Sequence, residues 1–312
     1  MIMVTTKQKI TNWIRLISHF LKLIKEVGLN AAINIDIIQF FKTTQYKHDF
    51  IISYFEKEFS EIINKYMHEE LPSEVINPNC NIWVCWFQGE SNMPETIIHC
   101  FKSIKKYARN SVVQLITMEN FQQFVTVPHH IVEKVEHGQI TLTHFSDILR
   151  CNLLAEYGGV YIDAGLLLTD ELLVPELPFF SVKLHKPEND CSFVSEYRWL
   201  AGFMGGVKGN ALHSFMRDFF NEYWKERNML IDYFLVDYII ATAYNNIPSV
   251  KKMIDDVPYN NEDIYYIGNN LFTPVRGNEL SVVLRRTRIF RIGYKGFPKE
   301  IKENSLYHYI FT

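Results

Sequence analysis

The sequence predicts an α/β fold in which parallel strands alternate with helices behind an N-terminal helical region. Three observations predict it. Residues 81–119 run strand, loop, helix, strand, which is the order of a βαβ unit. Residues 144–172, HFSDILRCNLLAEYGGVYIDAGLLLTDEL, start as a helix, break at two glycines and continue as an apolar strand. The chain has 312 residues, 47% of them hydrophobic, enough to bury a large core.

Residues 6–28 read as an amphipathic helix. Ile10, Trp13, Ile14, Ile17, Leu21 and Ile24 form one stripe at helical spacing, with Lys and Arg on the other side. Two readings fit this pattern. The helix packs on the main domain or on a partner subunit of a homo-oligomer, or it lies on an anionic membrane surface with Trp13 and Phe20 at the interface. Lys7, Lys9, Arg15, Lys22 and Lys25 interrupt the apolar positions, so a signal peptide is not expected. No apolar run reaches the length of about 18 residues that a transmembrane helix needs. Residues 30–70 continue as helices. The Pro- and Asn-bearing stretch LPSEVINPNC, 71–80, is the expected boundary between an N-terminal helical region (1–75) and the main domain (76–312).

NIWVCWF, 81–87, reads as a buried strand, and QGESNMP follows as a loop. In 95–108, Ile97, Ile98, Phe101, Ile104 and Ala108 share one helical face, and SVVQLITME, 111–119, is a second apolar strand. Ligands of such sheets sit beyond the carboxyl ends of the strands, where this loop lies. In 146–157, Ser146 or Thr143 can cap a helix that carries Asp147 in its first turn. Gly158 is the expected left-handed stop, and VYID makes a short strand. FMGGVKGNALHSFMRDFFNEYW, 203–224, reads as a glycine-rich turn and a helix, and NMLIDYFLVDYIIATAY, 228–244, as a further apolar helix. Arg285, Arg286, Arg288 and Arg291 alternate in a strand-like stretch. That suits a solvated edge strand, or else contact with a diphosphate or an anionic acceptor.

Composition narrows the function. A net charge of -3 speaks against a nucleic-acid partner. The five cysteines, Cys80, Cys85, Cys100, Cys151 and Cys191, contain no C-x-x-C pair, so a disulfide framework or zinc site is not expected and a reducing cytoplasm is. Helix and strand run in opposite directions around Gly158, so Asp147 and Asp163 can converge, with Arg150 one turn from Asp147. Two carboxylates at a sheet mouth suit Mg2+ or Mn2+ shared with substrate phosphates. They equally suit an aspartate that caps a turn or pairs with an arginine.

FSDILRCNLLAEYGGVYIDAGLLLTDEL resembles the core signature of the capsular polysaccharide synthesis family of glycosyltransferases. It is similar to the broader α-glycosyltransferases with a DXD motif: S-D-x-x-R, leucines, Y-G-G, then Y-I-D-A. IWVCWFQGESNMPETIIHCFKSIKK and LIDYFLVDY add to the likeness over roughly residues 80 to 245. The resemblance implies a GT-A type fold, a Rossmann-like mixed sheet flanked by helices. It implies a nucleotide-sugar donor (UDP above all), Mn2+ or Mg2+, and transfer with retention. Asp147 and Arg150 would hold the ribose or sugar, and Asp163 the metal and ribose. Trp86, Phe87 and Gln88 would line the nucleotide pocket, with Tyr161, Gly165 and Gly206 also at the donor. Gly165 stands where the motif's second acid belongs, so the metal needs another ligand, for which His308 is the candidate. Asp237 would position donor or acceptor beside Asp163 and Asp147, and Glu196 to Trp199 would wall the acceptor site. The implied acceptor is a lipid-linked saccharide of a capsule or other surface polysaccharide, met at the inner face of the cell membrane. The alternatives are a nucleotide-sugar-binding protein without turnover and a toxin-like protein glycosyltransferase.

Overall fold

The computed structural model describes residues 6–37, 43–293, 298 and 300–311, with 6–15 as backbone. The N-terminal region is helical: α1 (Thr6–Val27), α2 (Leu29–Ala32), α3 (Thr44–Glu58) and α4 (Ser60–Tyr66). The predicted stripe of α1 divides. Of its members Ile24 packs against the core, whereas Ile17 and Leu21 are each more than half exposed, as is Leu16 beside them, and it is Leu23, outside the stripe, that is fully buried; Ile10, Trp13 and Ile14 lie outside the described side chains. α3 is capped by Thr43, whose hydroxyl accepts from the Tyr46 N–H. Its buried Ile51 and Phe55 are four residues apart on one face. Phe55 meets Phe219, Tyr223 and Tyr238, with ring centroids 5.1 to 6.4 Å apart.

After the irregular 71–80 stretch come β1 (Asn81–Cys85), α5 (Glu95–Tyr107), β2 (Val112–Ile116), α6 (His129–Glu136) and α7 (Leu142–Tyr157). Then follow β3 (Gly159–Ile162), β4 (Leu166–Leu168), β5 (Phe179–Ser181), β6 (Phe203–Gly206), α8 (Ala211–Glu226), α9 (Leu235–Asn246) and α10 (Pro248–Asp255). The chain closes with α11 (Tyr266–Asn270), α12 (Gly277–Arg286), β7 (Ile289–Arg291) and α13 (Leu306–Phe311).

Among the described residues the main sheet has five strands in the order β2-β1-β3-β6-β5. β1 is parallel to both β2 and β3, and β6 is antiparallel to β3 and β5. This is the mixed sheet flanked by helices that the sequence predicts. The chain leaves β1 for β2 on one side and returns to β3 on the other. The carboxyl ends of β1 and β3 therefore flank a switch point, where open α/β sheets form a ligand crevice. β1 and β3 are buried throughout, apart from Asn81 at the start of β1, as strands covered by helices on both faces must be. Sheet, α8, α9 and the N-terminal helices share one apolar core. A smaller core joins α5, α11, α12 and α13 around the antiparallel pair β4–β7.

Four local assignments differ from the sequence reading. α7 begins at Leu142 because Thr141 caps it, accepting from the His144 N–H at 3.2 Å. FMGG is a buried strand, not a turn. The helix predicted over 228–244 is confined to α9, since Asp232 accepts from the Phe234 N–H and holds a bend. The arginine run is also divided: Arg285 and Arg286 end α12, and Arg291 ends β7.

Candidate functional site

Two cavities open at the carboxyl ends of β1 and β3. The smaller, about 360 Å3, is lined by Asp147, Arg150, Asp163, Trp199 and Asp237. The larger, about 720 Å3, is lined by Trp86, Phe87, Gln88, Tyr161 and Gly165. They meet at Thr143, Ser146, Asp163, Tyr233, Tyr265 and Arg291, which line both. Asp163 follows β3 directly and thus reaches the crevice; its N–H donates to the Gly202 carbonyl at 2.8 Å.

Arg150 organises the acids. It is 4% exposed, and its Nη2 lies 2.9 Å from Asp147 Oδ1 and 3.2 Å from Asp163 Oδ1. Nη1 donates to the Ala201 carbonyl, and the guanidinium sits 4.4 Å from the Tyr161 ring centroid. Asp147 and Asp163 converge as the sequence predicts, with a buried arginine as the bridge. Asp163 keeps 30% of its side chain exposed, against 14% for Asp147. Asp163 is therefore the more open of these two acids.

A second chain of contacts fixes Asp147. Trp224 Nε1, which can only donate, donates to His144 Nε2 at 3.2 Å. Nε2 is then the accepting nitrogen, and Nδ1 carries the proton toward Asp147 Oδ2 at 3.3 Å. His144 and Trp224 escaped the sequence reading. His144 is three residues before Asp147 and so on its helix face, which was the available signal; Trp224, 80 residues on, left none.

In the smaller chamber, Trp199 Nε1 donates to Asp237 Oδ1 at 2.9 Å. Enclosure by protein raises the Asp237 carboxyl to about 6, reinforced by Asp147 and opposed by the Trp199 hydrogen bond and the charges of Arg150 and Arg291. Asp232 is elsewhere, paired with Lys47 at 2.6 Å. Glu196 and Tyr197 have consecutive positive φ values of 47° and 66°, and Tyr197 lines this chamber. Backbone held in that region by non-glycine residues is strained, and such strain gathers at functional sites.

The other predicted residues fall as follows. Trp86 is half-buried, Phe87 stacks on Phe145 at 5.3 Å, and Gln88 is exposed. Gly206 lines neither chamber: at the end of β6, a Cβ would collide with the Asn210 and His213 side chains, so packing requires the glycine. His308, on α13 beside Tyr307, lines neither chamber. Among the described residues no three His, Cys, Asp or Glu side chains gather as a metal cluster. The junction offers the Asp163 carboxylate with the Thr143 and Ser146 hydroxyls. That hard-oxygen set fits Mg2+ or Mn2+ only when ligand oxygens complete it.

A comparison with curated proteins found no match. Among solved structures, the "PaToxG Glycosyltransferase" is similar at 15% identity, over 86% of this chain and 96% of that one, with a TM-score of 0.40. The family described as "Capsular polysaccharide synthesis protein" matches residues 30–310, which take in every residue of both chambers, and the chain belongs to that family.

Proposed function

We propose that this protein is a retaining glycosyltransferase that moves a hexose from a nucleoside-diphosphate sugar, with UDP as the favoured nucleotide, to a saccharide of a capsular or related surface polysaccharide. Family membership supports a glycosyltransferase. The observation that carries the finer reading is Asp163, a partly exposed carboxylate shared by a larger chamber with an aromatic rim and a smaller acid-lined one. The base and ribose occupy the larger chamber against Trp86 and Phe87, the diphosphate lies at the junction, and the hexose enters the smaller chamber. There Asp147 and Asp237 accept from sugar hydroxyls, and Arg150 fixes the direction of Asp147 and Asp163. A divalent cation held by Asp163 and donor phosphates supplies charge stabilisation to the leaving group when bound. Retention and the UDP preference rest on the family resemblance.

The surface of α1 supports a place for the acceptor. Leu16, Ile17 and Leu21 are exposed beside Lys22 and Lys25, a pattern suited to an anionic lipid surface where a lipid-linked saccharide is met. No described helix is long and apolar enough to cross a membrane.

The test is release of nucleoside diphosphate from a panel of UDP- and GDP-sugars with Mn2+ or Mg2+. Wild type releases UDP slowly without acceptor, and Asp163→Asn lowers the rate by at least about 100-fold while the protein stays folded at the assay temperature. A wild-type rate in D163N overturns the site assignment. Binding without release favours a nucleotide-sugar-binding protein.

A further inference from the structure

Gly165 occupies the place of the motif's second acid, and the fold gives that place to another segment. The Gly165 carbonyl accepts from the Ile292 N–H at 2.8 Å, and Leu166 pairs with Arg291 across the β4–β7 ladder. A Cβ built on Gly165 would lie 3.2 Å from the Ile292 carbonyl oxygen. Any side chain there is a tight fit, and the backbone at Ile292, just after β7, would have to give by a few tenths of an ångström to admit one. What β7 brings to this place is Arg291.

The four arginines of 285–291 differ in their engagements. Arg286 is held by Asp263 (Nη2 to Oδ1, 2.8 Å) and Arg288 by Asp170 (3.4 Å). Arg285 lies on the exposed end of α12 and lines neither chamber. Arg291 alone of the four lines both chambers, at the junction with Asp163. It is exposed and makes no ion pair among the described residues. A guanidinium in no close ion pair, which feels the Asp237 carboxyl only at longer range and faces a cleft from a strand end pinned by the backbone, is suited to phosphate oxygens.

We propose that Arg291 grips the donor diphosphate at the chamber junction and offsets the charge that grows on it during transfer. The inference rests on the donor reading above. In the step it serves, the bond from the sugar C1 to the phosphate oxygen breaks and its electron pair stays on that oxygen. An acceptor hydroxyl, or water in hydrolysis, forms the new bond to C1, and its proton passes to solvent. Arg291 touches the departing phosphate and transfers no proton.

The test compares wild type, Arg291→Met and Arg291→Lys in the full chain. Calorimetry with Mg2+ measures binding of UDP and GDP against uridine and guanosine. R291M is expected to weaken the bound diphosphate at least about tenfold and to leave its nucleoside within about twofold. R291K is expected to recover part of the loss, and release of the diphosphate from its sugar is expected to fall in the same order. R291M with wild-type diphosphate affinity and release overturns the role of Arg291 and leaves the donor reading standing. Wild type that binds neither diphosphate overturns the donor reading, and this inference with it.

Discussion

Asp237 is the acid whose protonation most depends on the fold. Its enclosure raises it from 3.8 to about 6, so the folded protein holds a proton that the unfolded chain releases first. A raised carboxyl stabilises the fold fully below its unfolded value, and that contribution is lost as pH rises through the folded value. Between about pH 4 and pH 6 wild type is therefore expected to lose on the order of 2 kcal/mol relative to Asp237→Asn, a figure reduced because the side chain is open to the chamber. Urea unfolding of both proteins at matched pH values measures it. Parallel stability curves would show that burial does not hold the proton. Asp237 was visible in the sequence as a candidate through LIDYFLVDY, one of the segments that carry the family resemblance. Its partner Trp199 was visible only as an aromatic near the acceptor wall; the hydrogen bond joins residues 38 apart.

The elements differ in how far local pattern could reach. α7 and β3 were legible because one helical period, a double glycine and one apolar run specify a helix that turns back as a strand. The start of α7 was not, because Thr141, Thr143 and Ser146 are all acceptable caps and tertiary context selects Thr141. β6 was misread for a physical reason: two glycines weaken strand propensity, yet the packed side chains of Asn210 and His213 leave no room for a Cβ at Gly206. α1 is the helix that the periodicity predicts, but the predicted stripe is not its covered face: Leu23, outside the stripe, is buried, and periodicity does not say which apolar residues remain uncovered. Leu16, Ile17 and Leu21 do. Vesicles containing about one-third phosphatidylglycerol are expected to sediment the full-length protein, and pure phosphatidylcholine vesicles are not. Ile17→Asp with Leu21→Asp should abolish sedimentation without lowering the melting temperature, since both side chains are more than half exposed. Equal sedimentation of the double variant removes the membrane role of this face.

At the scale of the molecule, the switch point was legible and the smaller core was not. The βαβ order fixes where β1 and β3 end, and hence where a ligand crevice can form. β7 has only three residues, and its partner β4 is more than a hundred residues away, a pairing that no local period encodes. The same long-range logic governs the N-terminal helices. Phe55 is fully buried among Phe59, Phe219, Tyr223 and Tyr238, so α3 is anchored to α8 and α9, which pack with the sheet in one core. Phe55→Ala is expected to cost about 3–5 kcal/mol, because the facing rings cannot collapse into the space without giving up their own contacts. Its effect should extend beyond the helices. The tryptophans Trp83 and Trp224 are buried in the same core, so their fluorescence and the far-ultraviolet helical signal should move together to lower denaturant in one transition. Two separated transitions, with the helical signal shifted and tryptophan fluorescence unmoved, would show that α3 melts from the sheet on its own and that the shared core does not couple them.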